Sequence, residues 1–262
     1  MKTILGKKQS ISNDTWIEAI ENIEALVSEK ELDLAVQIAI DDIEKTTKGK
    51  KAAYAWSAGK DSIVLGHICE KAGIKECMIG VCNLEYPAFY KWVEENKPGS
   101  CEIINTGQDI EWLSKRLDML FPQSSAKATR WYSIVQHAAQ RKYFKVQNLD
   151  ILVLGRRRAD GNYVGGKKAI YTDGKGITRY SPLATWKHEY ILAYIHYNKL
   201  SLPPIYSWKN GYLCGTHPWP ARRYTGSIEN GWREVYSIDK NIVINAAAHI
   251  KSAQDFLESV VM

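Results

Sequence analysis

The chain has 262 residues, of which 45% are hydrophobic and 24% charged, as in an ordinary globular protein with a substantial core. No apolar run approaches the ~20 residues of a membrane span, and the first eight residues turn polar too early for a secretory signal. We therefore expect a cytoplasmic protein with no membrane contact. The formal charge of +6 suits an anionic partner, although basic runs are usually solvated surface.

The cysteines predict a reduced protein. There are five, an odd number, and none forms the C-x-x-C pair expected of zinc or iron–sulfur sites. We expect no iron–sulfur cluster and interpret most of the thiols as buried core residues. They are Cys69, Cys77, Cys82, Cys101 and Cys214.

The first half of the chain alternates between helical and strand patterns. Apolar residues at helical spacing predict two helices between Asn13 and Lys48. Further strands are predicted at Lys51–Trp56, Cys77–Cys82, Cys101–Asn105 and Asp150–Gly155, and helices at 63–73, Pro87–Asn96, Asp109–Leu120 and Thr129–Val146. This alternation predicts an α/β fold with a doubly wound, mostly parallel sheet.

The second half is less regular. The Gly- and Lys-rich segment Ala159–Tyr180 predicts a loop or small hairpin. A helix at Lys187–Asn198 precedes a Pro-, Gly- and Trp-rich tail, Leu202–Trp232, and a final helix at Asn245–Val260. We divide the chain into an N-terminal helical extension (1–48), a main domain (49–200) and a loop-rich and helical C-terminal segment (201–262).

One loop has the composition of a phosphate site. Ser57-Ala58-Gly59-Lys60-Asp61-Ser62 lies between a predicted strand and helix, where backbone N–H groups and the helix dipole favour an anion. Lys60 can add a positive charge, Ser57 and Ser62 can donate hydrogen bonds, and Asp61 can hold Mg²⁺ between phosphates. It is not the G-x-x-x-x-G-K-[ST] P-loop, because the four-residue spacer between glycines is missing.

The loop resembles another known signature, the S-G-G-x-D-S loop of the PP-loop ATP pyrophosphatases. That resemblance implies an adenine nucleotide alpha hydrolase-like fold, ATP and Mg²⁺ as ligands, and cleavage between the α- and β-phosphates. Ala58 stands where the family usually has glycine. We expect this extra methyl group to be tolerated.

Later segments are similar to the phosphoadenosine phosphosulfate (PAPS) reductase family. That family has a P-L-x-x-W, L-P-x-x-x-L-Y and G-Y series. Here Pro182-Leu183-Ala184-Thr185-Trp186, Leu202-Pro203-Pro204-Ile205-Tyr206 and Gly211-Tyr212 resemble it in order, although the second segment is two residues shorter. The resemblance covers roughly Ala52 to Arg223.

The same resemblance implies further nucleotide contacts. Gly155-Arg156-Arg157-Arg158 matches the family's G-x-R segment, whose guanidinium groups can pair with phosphate or sulfate. For Arg156 and Arg158 a basic surface turn is an equal interpretation. Gly215-Thr216-His217, followed by Arg222 and Arg223, is similar to the family's G-D-T-H loop without its Asp. His217 is thus a candidate phosphate contact.

Two departures bear on the reaction. The reductases carry a nucleophilic cysteine in a C-terminal E-C-G-L-H motif, whereas Ala246–Met262 has no cysteine. Cys214 resembles that motif only in the residues next to it, Gly215 and His217. We interpret it as a buried thiol. Reductases often have an eroded loop, but Lys60 and Asp61 are both kept here.

These features predict an ATP pyrophosphatase of the PAPS reductase-like family, with Lys60 and Asp61 as catalytic residues. It would act as an adenylyltransferase in sulfur metabolism or related chemistry, on an unknown acceptor. One alternative is a sulfonucleotide (PAPS) reductase that uses Cys214. Another is a noncatalytic nucleotide-binding subunit of a nucleic-acid modification system, such as DNA phosphorothioation.

The predicted partners are an adenine nucleotide and the acceptor, with nucleic acid, a partner protein or a second copy of the chain as further options. Late aromatic residues beside basic ones can stack on bases, although packing is the commoner role of such residues. They are Trp186, Trp208, Trp219, Tyr224 and Trp232.

Overall fold

The computed structural model describes Leu5 and residues 11–261, apart from the side chains of Ser125 and Val261. The described residues form an α/β protein with six strands. They are β1 (Ala52–Ala55), β2 (Cys77–Val81), β3 (Cys101–Asn105), β4 (Ile151–Leu154), β5 (Ile170–Thr172) and β6 (Thr178–Tyr180). The sheet order is β3-β2-β1-β4-β6-β5, and β1, β2, β4 and β6 pair in parallel. The predicted fold class is confirmed.

The helices flank these strands in the chain order expected of an α/β fold. They are α1 (Asn13–Glu21), α2 (Ile23–Leu26), α3 (Glu29–Thr47), α4 (Lys60–Lys71), α5 (Pro87–Asn96), α6 (Ile110–Ser114), α7 (Ser125–Tyr132), α8 (Ala138–Val146), α9 (His188–Tyr197), α10 (Gly211–Cys214), α11 (Ile228–Ile238), α12 (Lys240–Ala247) and α13 (Lys251–Val261). Among the described residues, none of these helices is long and apolar enough to cross a membrane.

The described residues divide into two compact units. The first comprises those of Met1–Ile79, Lys97–Glu102 and Gln140–Pro203, and the second comprises Gly80–Asn96, Ile103–Ala139 and Pro204–Met262. Strands β2 and β3 begin in the first unit and end in the second. The division at 1–48, 49–200 and 201–262 made from sequence stays a prediction.

In the first unit, side chains of β1, α4 and β4 form a continuous core. Ala53 and Tyr54 of β1, Leu65 and Ile68 of α4, and Leu152 of β4 are fully buried. The register aligns Tyr54 with both Cys77 and Val153. These near-continuous apolar runs are typical of parallel strands that are covered on both faces.

The second unit packs around aromatic rings. Trp232 of α11 lies 5.0 Å from Phe121 and 5.6 Å from Trp219, between ring centroids. Gly231 allows this packing, because a Cβ at that position would lie 2.2 Å from the Phe121 ring. Trp219 and Trp232 are buried packing residues, which answers the question about their role left open by the sequence.

Several predicted elements need correction. The two N-terminal helices are three, because the helix breaks at Asn22 and the Ser28 side chain caps a new one by accepting from the Glu31 amide, 3.3 Å away. The helix predicted to reach Leu120 stops at Ser114, because the backbone leaves the helical region at Arg116 (φ −144°, ψ 51°) and Leu117–Met119 forms a separate 3₁₀ turn.

The helical stretch from Thr129 to Val146 begins earlier, at Ser125, and contains a π-helical turn at Ser133–His137 between α7 and α8. The tail predicted as irregular up to Trp232 contains the start of α11, where the Ser227 hydroxyl accepts from the Asn230 amide at 3.1 Å. The last predicted helix is two, α12 and α13. The predicted hairpin exists as β5–β6, and β6 joins the main sheet beside β4.

Candidate functional site

The loop Ser57–Ser62 connects the end of β1 to the start of α4, as the sequence predicts. Gly59 is the N-cap of α4 and supplies no side-chain hydrogen bond to the helix terminus. The first turn of a helix has amide groups without intrahelical acceptors, and the dipole makes that end partly positive. This terminus therefore favours an anionic ligand.

Ser62 holds the shape of the loop. Its Oγ accepts from the Ser57 amide at 2.9 Å and from Ser57 Oγ at 3.1 Å, and it donates to the Gly59 carbonyl at 2.9 Å. The Ser62 hydroxyl is thus engaged within the loop itself. A hydrogen bond from Ser62 to a phosphate stays a prediction. The observed contacts are those of a residue that positions the loop.

Ala58 adopts a left-handed backbone conformation with φ of 55°. A side chain in this region costs roughly 1–2 kcal/mol, which explains the glycine usual at this position of the motif. The methyl group of Ala58 is fully buried. Burial of that methyl group offsets part of the strain.

Lys60 and Asp61 form an ion pair at the start of α4, with Lys60 Nζ 2.7 Å from Asp61 Oδ2. Lys60 is only 2% exposed, and its Nζ lies 5.0 Å from the centre of the Trp16 ring of α1. An ammonium group over an aromatic face is attracted by the ring quadrupole. The N-terminal helix therefore helps to hold the lysine of the loop.

Arg157 contacts the loop through Asp61. Its Nε donates to Asp61 Oδ1 at 2.7 Å, and its Nη2 lies 2.6 Å from the same oxygen. Gly155 approaches equally closely, since a Cβ there would lie 3.0 Å from the Asp61 carbonyl oxygen. The Gly155 turn and Arg157 therefore lie beside the loop. The reason is that β1 and β4 are parallel neighbours whose carboxyl ends share one edge.

The guanidinium of Arg157 is completely buried and serves several groups at once. It contacts the Asp160 carboxylate at 3.0 Å, the Trp186 carbonyl at 3.2 Å and His188 Nδ1 at 3.1 Å. Trp16 packs edge-on against His188, with ring centroids 4.8 Å apart. These contacts fix Arg157 rigidly against Asp61.

Sequence reasoning missed Trp16, Asp160 and His188. Asp160 lies three residues after Arg157, and His188 lies two residues after the Trp186 of the P-L-x-x-W segment. Those spacings are the only signal in the sequence for the two residues. Nothing in the sequence indicates Trp16, because its contact with the loop depends on how α1 packs.

The other predicted arginines of the first unit have different surroundings. Arg156 Nη1 donates to the Tyr171 hydroxyl at 2.9 Å, and Arg158 Nη2 donates to the Gly166 carbonyl at 3.0 Å. Arg158 is exposed. Both arginines hold the segment that follows β4, and their nucleotide contacts stay predictions.

His217, Arg222 and Arg223 belong to the second unit. Arg222 is buried, and its Nε donates to Glu234 Oε2 at 2.8 Å. The Arg223 guanidinium lies 5.0 Å from the Tyr224 ring centre, and His217 is half-buried in the loop after α10. Arg222 thus has a structural ion pair in its own unit, and the nucleotide contacts of all three residues stay predictions.

Cys214 also lies in the second unit, at the end of α10. Its thiol is buried and lies 3.6 Å from the Arg223 carbonyl, to which it donates. Burial raises the pKa of the Cys214 thiol. All five cysteines are buried and unpaired by disulfides, in agreement with the expectation of reduced core thiols.

Glu85, which sequence reasoning did not single out, follows β2 in the second unit. Burial raises the pKa of its carboxyl to about 7, although the Cys82 amide, 3.2 Å away, donates to it and opposes the shift. A carboxyl group that titrates near neutral pH can act as an acid or a base. Desolvation of this kind leaves no recognisable signal in a sequence.

A strand–loop–helix site in a mostly parallel α/β sheet is the architecture of the adenine nucleotide alpha hydrolase-like fold. A family model described as the phosphoadenosine phosphosulfate reductase domain matches residues 51–213, and the chain belongs to that family. A search of curated protein sequences finds no match.

The chain is also similar to solved structures at low sequence identity. The phosphate complex of phosphoadenylyl-sulfate (PAPS) reductase from Candida auris is 15% identical, with a TM-score of 0.51 over 70% of this chain and 94% of the other. The U34-tRNA thiolase NcsA from Methanococcus maripaludis is 17% identical, with a TM-score of 0.44 over 87% and 80%. NMN synthetase from Francisella tularensis is 15% identical, with a TM-score of 0.47 over 70% and 76%.

Proposed function

We propose that this protein binds ATP on the Ser57–Ser62 loop and transfers its adenylyl group to an acceptor. An acceptor oxygen attacks the α-phosphorus, the bond from that phosphorus to the α,β-bridging oxygen breaks, and pyrophosphate leaves. The acceptor proton passes to solvent. Catalysis would be mainly electrostatic, through groups that stabilise charge on the leaving pyrophosphate.

The observation that carries this proposal is the arrangement of Lys60, Asp61 and Arg157 at the start of α4. One carboxylate holds two buried cations at the terminus of a helix whose N-cap residue, Gly59, has no side chain. An ammonium has three donors, so Lys60 can keep its bond to Asp61 and still donate to a phosphate. A loop with both residues kept supports use of ATP.

Magnesium fits this site through Asp61 and the nucleotide together. Within the described ranges, no group of three His, Cys, Asp or Glu side chains is arranged to hold a metal ion. Mg²⁺ is commonly bound by one or two carboxylates plus substrate phosphates, and Asp61 is 23% exposed. When bound, the ion would neutralise phosphate charge.

Reduction of a sulfonucleotide is the alternative, and the state of Cys214 argues against it. A thiol nucleophile reacts as the thiolate and needs access to its substrate. Cys214 is 7% exposed, and burial raises the pKa of its thiol. Those properties are typical of a core cysteine.

Product analysis with ATP labelled at the α-phosphate tests the proposal. The protein is incubated with ATP and Mg²⁺, with and without pools of candidate acceptors, and the products are separated by chromatography. Release of pyrophosphate with label in AMP or an adenylylated acceptor is expected. Formation of ADP with inorganic phosphate would reject adenylyl transfer, as would release of sulfite in a parallel incubation with PAPS and a thiol.

A further inference from the structure

The segment 156–169 between β4 and β5, which we call the basic loop, concentrates positive charge. It has five basic residues and one acidic residue, Asp160. Asp160 forms an ion pair with the buried Arg157, so neither residue contributes to the charge of the surface. Arg158, Lys167 and Lys168 are exposed, and within the described ranges none of the three forms an ion pair.

The basic loop also contains an exposed aromatic ring. Tyr163 is 68% exposed and packs edge-on against Tyr171, with ring centroids 4.8 Å apart. Arg156 donates to the Tyr171 hydroxyl, which places a guanidinium beside the pair. Exposed aromatic faces beside cations are the surface on which proteins stack the bases of single-stranded nucleic acids.

The basic loop is anchored to the fold. Val164 is buried in a cluster with Ala169 and Ala184. Gly165 has a φ of 85°, and a Cβ there would lie 2.7 Å from the Ile170 carbonyl oxygen. These contacts hold the middle of the loop inward, while its exposed side chains lie on either side of Val164.

The topology places the basic loop at the same edge of the sheet as the Ser57–Ser62 loop. Strand β5 begins at Ile170, which pairs with Tyr180 at the end of β6, and β6 is parallel to β4 and β1. The basic loop therefore spans the carboxyl ends of these strands within the first unit. Its first residues adjoin Asp61 through Arg157.

We propose that the basic loop binds single-stranded nucleic acid, with Lys167, Lys168 and Arg158 on backbone phosphates and Tyr163 on a base. Resting on the proposed function, we further assign the bound strand as the carrier of the adenylyl acceptor. A single strand fits better than a duplex, because base pairing and stacking hide the faces that Tyr163 would contact.

Fluorescence anisotropy of the full chain with labelled 20-mers tests the binding. The probes are oligouridine, oligothymidine and a duplex DNA, each at several salt concentrations. The single strands are expected to bind more tightly than the duplex, with affinity falling as salt rises. Whether RNA or DNA binds better identifies the source of the strand, and either result supports the proposal.

The K167E/K168E double variant is expected to lose about 10-fold or more in affinity and to have a shallower salt slope. Its matched control is K48E/K50E, the same charge change at two exposed lysines before β1, at the other edge of the sheet. Tyr163→Ala is expected to weaken binding about 5-fold or more. Tyr163→Phe keeps an aromatic ring and is expected to bind as the wild type does.

Equal losses in the K167E/K168E and K48E/K50E variants would overturn the proposal, as would equal binding of duplex and single strands. ATP titration of the K167E/K168E variant separates the two functions. Unchanged ATP affinity supports a nucleic-acid role, whereas loss of ATP binding with intact oligonucleotide binding assigns the lysines to the nucleotide. Oligonucleotide binding without transfer of label from ATP would reject the acceptor assignment alone.

Discussion

Arg157 and Asp61 are 96 positions apart in the chain, yet the guanidinium Nε lies 2.7 Å from the carboxylate Oδ1. Asp61 also binds Lys60, so one carboxylate joins the loop to the turn that follows β4. Removal of one partner from a buried ion pair leaves an uncompensated charge, which is more costly than the pair is stabilising.

Arg157→Ala should lower the free energy of unfolding by about 3–5 kcal/mol, because the carboxylates of Asp61 and Asp160 lose their shared cation. Chemical denaturation followed by circular dichroism measures the change. Arg158→Ala, one residue further along and exposed, is the control and should cost less than about 1 kcal/mol. Equal effects of the two variants would contradict the structural role of Arg157.

Lys60→Ala should weaken ATP binding by roughly 1–3 kcal/mol, the range for loss of a charge-assisted hydrogen bond. Isothermal titration calorimetry with ATP and Mg²⁺ provides the measurement. Lys71→Ala is the matched control, since Lys71 is exposed at the opposite end of the same helix. Unchanged ATP affinity in the Lys60 variant would show that the loop has been misassigned.

Cys214→Ser should retain nucleotide turnover, because the proposed reaction has no step at sulfur. The hydroxyl can donate to the Arg223 carbonyl as the thiol does, so the fold is expected to be kept. Rates of pyrophosphate release measure turnover, and circular dichroism checks the fold. A folded variant without activity would favour the reductase alternative.

Glu85→Gln should stabilise the protein above neutral pH and leave it unchanged at pH 4. Burial raises the pKa of Glu85 from 4.5 to about 7, so the folded state favours the protonated acid. Wild-type stability therefore falls progressively as the pH rises from 4.5 to about 7, and the loss levels off at higher pH. Glutamine keeps the oxygen that accepts from the Cys82 amide without the charge.

We expect the stability difference between the Glu85→Gln variant and wild type to reach roughly 1–3 kcal/mol at pH 8. Urea unfolding at pH 4, 6 and 8 measures it. A difference that is constant across this range would contradict the raised pKa.

Gly231→Ala should destabilise the second unit by about 1–3 kcal/mol, since the new methyl group would overlap the buried Phe121 ring. This cost exceeds the helix propensity gained by alanine, about 1 kcal/mol. Gly99→Ala is the control, because a Cβ there meets no atom within 4 Å. Thermal unfolding distinguishes the two, and an unchanged melting temperature for Gly231→Ala would show that Phe121 is free to move.

The class of fold and the location of the loop could be predicted from local sequence patterns. Strand β1, the loop Ser57–Ser62 and helix α4 are contiguous, so their apolar periodicity and turn residues are read within about twenty positions. The positions of β2, β3 and β4 also followed from local apolar runs. The parallel pairing of β1 with β2 and β4 followed from the alternation of strands with helices.

The identity of the side chains around the loop depends on tertiary packing. The packing of Trp16 over Lys60 and the contact of His188 with Arg157 join residues from distant elements. Tertiary packing also places Arg222 in a buried ion pair with Glu234. The basic residue beside Arg222 in the sequence gave no indication of that pair. Ion pairing and burial depend on long-range approach of elements, whereas periodicity and turn chemistry are local, and a single sequence records only the local part.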